Sequence, residues 1–180
     1  EGESPPADEA AAATASTGEL LGDPQLWLVV LTFGLIFSAG LISTIFMIPY
    51  ATEIGIPLVW GASLQGVRAG LAATGKIVFG ALADRVGVRP VLWGVVATEA
   101  VLTALLIQTR EPWIFVAIFV SIGFVGGAPL PLKATMAGQL FGRQNFAGSM
   151  GLLQSLASPF QLALVPIGGF VSASTGTYAS

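Results

Sequence analysis

LWLVVLTFGLIFSAGLISTIFMI, residues 26–48, contains no Asp, Glu, Lys or Arg and is long enough as a helix to cross the roughly 30 Å of bilayer hydrocarbon. Asp23-Pro24 stands just before it, pairing a side-chain acceptor with a residue whose φ is preset and whose missing N–H is no loss in a first turn, which reads as a helix start. Further along, four more apolar stretches follow at residues 59–83, 91–108, 113–132 and 146–173. The second carries Arg68 and Lys76, and the third carries Glu99. The fourth is interrupted by Gly123, Gly126, Gly127, Pro129 and Pro131, and the fifth is uncharged with Pro159 and Pro166. A chain that is 54% apolar and 9% charged, with 23 Gly and 11 Pro, is not a soluble globule, in which about a quarter of residues are charged. Membrane helices accept both glycine and proline. The expected fold is an all-α integral membrane bundle of five transmembrane helices, with sequential neighbours antiparallel because the connections are short.

Charge divides the chain in two. Glu1, Glu3, Asp8, Glu9, Glu19 and Asp23 all precede Pro24, with no Lys or Arg among them, whereas the remaining four acids stand against all seven bases and leave that part at +3. Residues 4–18 lack Val, Ile, Leu and aromatics and cannot bury enough surface to offset their ordering entropy. They lack the basic and apolar regions of a signal peptide as well. The expected organisation is a disordered cytoplasmic linker over residues 1–24, cut from a longer chain, then the helical part over residues 25–180. Arg85, Arg89, Lys133 and Arg143 lie in the second and fourth connections, against Arg110 alone in the first and third. The former pair, and with it the amino-terminal tail, is therefore expected in the cytoplasm.

With no Cys and no His, the sequence excludes disulfides, thiolate and imidazole metal sites, and the usual nucleophile–base pairs. Neither enzyme chemistry nor a cofactor or metal is expected. The bases are scattered among apolar spans, which leaves no footprint for nucleic acid.

Between the second and third spans stands Gly80-Ala81-Leu82-Ala83-Asp84-Arg85-Val86-Gly87-Val88-Arg89-Pro90. It resembles the cytoplasmic loop signature of the major facilitator superfamily: Gly80, Leu82, Asp84, Arg85, Gly87 and Arg89 fit, while Val88 stands where a first base is usual. A bare basic turn capped by glycine needs no Asp at that spacing. Gly22-Asp23-Pro24-Gln25-Leu26-Trp27 resembles the start of that family's seventh helix, and residues 141–151 (FGRQNFAGSMG) resemble the turn between helices ten and eleven in the oxalate/formate antiporter and monocarboxylate transporter branch. Ser174-Thr175-Gly176-Thr177-Tyr178 is similar to the loop before helix twelve. The resemblance implies helices seven to eleven of a partial six-helix bundle, half of a two-half transporter with its substrate site near the midplane. The amino-terminal half would be a partner, and Gly80, Asp84, Arg85, Gly87 and Arg89 a conformational latch.

Lys76 is the leading candidate for substrate binding. An ammonium at that depth costs about 2.5–3.5 kcal/mol on insertion scales unless it meets protein or water. Gln65, Ala69 and Ala72 fall on the same face at 100° per residue, a small, polar stripe suited to a path. The resemblance puts Lys76 where the monocarboxylate branch has the arginine that meets the carboxylate, and Ala72 where it has an accompanying Asp. The alternative for Lys76 is snorkelling, or pairing with an acid of the other half. Arg68, two turns earlier, attracts anions or pairs with a lipid head group. Glu99 is the one mid-span acid and so the candidate proton carrier; in the family architecture helix nine lies at the bundle's outer side, which favours a structural carboxyl instead. Lys133 reads as a topology anchor near the cytoplasmic end. Gln154 adds a hydrogen-bonding group to the fifth span, where no Lys or Arg stands; some oxalate exchangers in the family have a lysine there, so its absence points to a monoanion or a different substrate. Gly66 with Gly70 and Gly123 with Gly127 are spaced for close helix contact. Phe46, Tyr50 and Trp60 read as an outer interfacial belt.

The expected function is secondary transport of a small organic anion, a monocarboxylate, by alternating access in the plasma (inner) membrane, coupled to a proton or a counter-anion. The rivals are a facilitator of another cargo (drug, sugar or nitrate) and a non-transporting membrane sensor or assembly module.

Overall fold

A computed structural model describes residues 17–175. Within that range the chain is helical throughout: α1 (Thr17–Gly22), α2 (Pro24–Glu53), α3 (Leu58–Val86), α4 (Val88–Gln108), α5 (Pro112–Val125) and α6 (Pro129–Thr175). The linker expected over residues 1–24 therefore ends in a short helix, α1, and its residues 1–16 lie outside the described range, as do residues 176–180 of the loop expected before a twelfth helix. Four helical stretches among the described residues are long and apolar enough to cross a membrane: Pro24–Glu53, Leu58–Val86, Val88–Leu106 and Pro112–Gly142. The architecture is a partial, all-α, membrane-spanning bundle. The fifth expected span falls in the later part of α6, where several side chains lie outside the described ones.

Local chemistry sets the helix ends. Asp23 caps α2 as its spacing foretold, its carboxylate accepting from the Gln25 backbone N–H at 2.8 Å, with Pro24 in the first turn. Pro112 opens α5 in the same way. Gly87 separates α3 from α4 at φ 93°, a left-handed backbone that an L side chain rarely adopts. Arg85 and Arg89 flank it and are exposed, as is Asp84.

The fourth expected span, residues 113–132, is not one helix. α5 stops at Val125, a tight turn carries the chain through Gly126 to Ala128, and α6 begins at Pro129. The cause is Pro129 and Pro131, which lack the N–H groups that would continue the ladder and whose rings crowd the carbonyls of Val125 and Gly127. α6 in turn divides at Gly142, where φ 74° and ψ 167° are non-helical. The limb before Gly142 and the limb after it lie side by side, since Lys133 on one reaches Gln154 on the other.

Two packed regions hold the helices together. One gathers Leu26, Val29, Val30 and Phe33 of α2 with Ala83 of α3, Val88, Val91 and Val95 of α4, and Leu132, Phe141 and Leu153 of α6. The other joins Tyr50 and Ala51 at the far end of α2 to Leu106, Phe115, Phe119 and Ile122. Tyr50, expected in an outer belt, is instead buried, and its hydroxyl donates to the Thr109 carbonyl at 3.0 Å, tying α2 to the α4–α5 connection.

α3 buries only Gly61, Gly75 and Ala83, its small side chains. A Cβ on Gly75 would strike the Phe124 carbonyl oxygen, and one on Gly127 the Ala72 carbonyl oxygen, so α3 and α5 approach backbone to backbone. Of the two glycine pairs singled out from spacing, Gly123–Gly127 makes this contact, whereas Gly66 and Gly70 face open space. Gly80 admits Pro131 of α6, whose Cβ would lie 3.7 Å from an added methyl.

Candidate functional site

Between the two packed regions the helices leave a groove of about 870 Å³. Five of its lining side chains come from α3: Gln65, Ala69, Ala72 and Lys76, the stripe that helical periodicity places on one face, and Arg68 beside them. Gln154 and Gln161 line it from the second limb of α6. Lys76, Arg68, Gln65 and Gln154 thus share one groove, although they come from two helices far apart in sequence.

The cations are held differently. Lys76 is exposed to the groove. Arg68 is half-buried and engaged: its Nη1 donates to the Thr44 hydroxyl at 2.6 Å, and its guanidinium sits 5.5 Å from the centre of the Phe119 ring. Its Nε finds no acceptor among the described residues. The Thr44 hydroxyl donates in turn to the Gly40 carbonyl at 2.7 Å, and the Gln65 amide donates to the Thr44 carbonyl at 2.9 Å, so one residue of α2 holds both Gln65 and Arg68 of α3.

Glu99 corrects the expectation that the ninth helix of such a bundle keeps its carboxyl away from the path. It lines the same groove from α4 and interacts electrostatically with Arg68.

Lys133 is the second correction. Expected as a surface anchor, it is only 3% exposed. Its Nζ donates to Gln154 Oε1 at 2.8 Å and lies 4.9 Å from the centre of the Phe37 ring of α2. The fold-back at Gly142 brings residue 154 beside residue 133. Nothing in the local sequence encodes that contact beyond the glycine itself.

Among the described residues no group of three or more Asp, Glu, His or Cys side chains could hold a metal ion. No protein-family model matches the chain. It is similar to Monocarboxylate transporter 12-B of Danio rerio, 26% identical over 161 residues, which is 87% of this chain and 34% of that relative. The chain therefore spans about a third of the length of the protein it matches. The multi-spanning helical architecture supports an integral-membrane location.

Proposed function

We propose that the chain is helices seven to eleven of a secondary transporter that carries a small organic anion, a monocarboxylate, by alternating access across the plasma (inner) membrane. The reading rests chiefly on one observation: Lys76, exposed and mid-helix, shares a groove with the amide side chains Gln65 and Gln154. An apolar groove with one accessible cation and a few donors is complementary to a carboxylate on a small carbon skeleton. Arg68, already bound by Thr44 and facing Glu99, raises the positive potential behind Lys76 while Lys76 makes the direct contact. As an ammonium rather than a guanidinium, Lys76 binds as a point charge, without a bidentate fork.

The opposite wall of the groove would come from the amino-terminal half. Closure of the two halves around the anion exposes it to one side of the membrane at a time. Asp84, Arg85 and Arg89, exposed at the α3–α4 junction, would latch with Gly80 and Gly87 onto that half in one of the two states. The basic connections put this turn and the amino-terminal tail in the cytoplasm.

The test is uptake of radiolabelled lactate, formate and oxalate into vesicles holding the complete protein, wild type beside Lys76→Gln. Saturable uptake by wild type, lost in a variant that inserts normally, is the expected result. Undiminished uptake by Lys76→Gln removes that residue from the path, and no uptake of any acid by well-inserted wild type moves the cargo to another class.

A further inference from the structure

Lys133 is a buried ammonium whose recorded partners are both neutral: an amide oxygen and an aromatic face. Placing a full charge in such surroundings is unfavourable, and an apolar side chain of similar length would pack between Phe37 and the second limb of α6 at lower cost. Packing alone therefore does not account for it.

The contact fixes the orientation of Gln154. An ammonium has donors and no acceptor, so the atom facing Lys133 Nζ at 2.8 Å must be the amide oxygen. The amide NH2 is then turned away from Lys133. Gln154 is exposed and lines the groove together with Phe37, so it has open groove beside it. Pro129 and Leu130, four and three residues before Lys133 on the same helical face, also line the groove, which puts Lys133 beneath its floor.

We propose that Lys133 and Gln154 form an anion-docking subsite on the α6 wall, in which Lys133 turns the Gln154 amide so that its NH2 donates to a carboxylate while the buried ammonium adds its charge from behind. The subsite rests on the reading of the groove as an organic-anion path, and it gives the α6 wall of the groove a positive charge that residues 146–173, which carry none, do not themselves supply. Gln154 is the binding group and Lys133 the positioning residue.

The test uses the complete protein in vesicles, with labelled lactate as the probe, and compares wild type, Lys76→Gln, Lys133→Met, Lys133→Arg and Gln154→Glu. Gln154→Glu is the deciding variant: it keeps the shape and strengthens the tie to Lys133, so a merely structural pair would be preserved. It nevertheless removes the NH2 donor and neutralises the charge. The expected result is a rise in KM of about tenfold or more for Gln154→Glu and Lys133→Met, the scale of losing a hydrogen bond to a charged group, with kcat changed far less. Lys133→Arg, which also donates to Oε1, should recover most of the affinity. Wild-type KM in Gln154→Glu, at unchanged melting temperature, overturns the subsite. If wild type and Lys76→Gln behave as the transport reading requires while Gln154→Glu keeps its affinity, only the subsite falls. If wild type carries no lactate, formate or oxalate, both fall.

Discussion

At the scale of single residues, cations in and beside the groove stand in three different electrostatic situations. Lys76 is open, Arg68 is tied to Thr44, Phe119 and the field of Glu99, and Lys133 is buried on neutral partners. Among the described residues Glu99 is the single acid lining the groove, so it is the candidate there to take up and release a proton, with the Arg68 charge beside it. If it couples transport to protons, Glu99→Gln should abolish the stimulation of lactate uptake by an inward proton gradient while lactate–lactate exchange continues near the wild-type rate. Acid stimulation that survives in this variant rules Glu99 out as the carrier. The α3 stripe was legible in the sequence because it needs only the 100° period of one helix. Glu99 and Lys133 were not, because their positions depend on how the helices pack and on where α6 folds back. Both are consequences of tertiary contact rather than of a local pattern.

At the scale of elements, the seam of α3 against α5 and the turn after it brings backbone against backbone and makes a sharp demand on sequence. A methyl at Gly127 meets the backbone of Ala72 and Lys76, which has no flexible end to yield. Gly127→Ala should therefore destabilise the protein by about 1–3 kcal/mol, as overpacking does, each kcal/mol lowering the melting midpoint by roughly 2–4 °C. Gly94 on α4 offers the contrast, with nothing within 4 Å of an added methyl. Gly94→Ala should be neutral or stabilising by up to about 1 kcal/mol through helix propensity. Thermal unfolding of the two variants in the same detergent decides the matter, and equal midpoints would mean that the seam is looser than described. The helix starts at Pro24 and Pro112 were readable from caps and first-turn prolines. The interruption between Val125 and Pro129 was hidden because unbroken apolarity, the signal used to mark a span, says nothing about whether its backbone bends.

At the scale of the whole molecule, Ile77, Trp93, Trp113 and Leu162 are each three-quarters exposed or more, on different helices, around a groove that is open along one side. A protein surface bearing this much apolar area is in contact with lipid or with another packed helical unit. Its orientation is open to direct measurement because the chain has no cysteine, so any thiol label it takes up reports an introduced position. Trp60 and Arg89 are both exposed and stand near opposite ends of α3, Trp60 in its first turn and Arg89 just past its carboxyl end. If the excess of bases in the α3–α4 connection sets the orientation, Arg89 lies in the cytoplasm and Trp60 outside. A membrane-impermeant maleimide applied to intact cells should modify Trp60→Cys at once and Arg89→Cys only after the membrane is opened. The reverse pattern would invert the bundle, place the latch turn outside, and detach it from any role in the cytoplasmic gate.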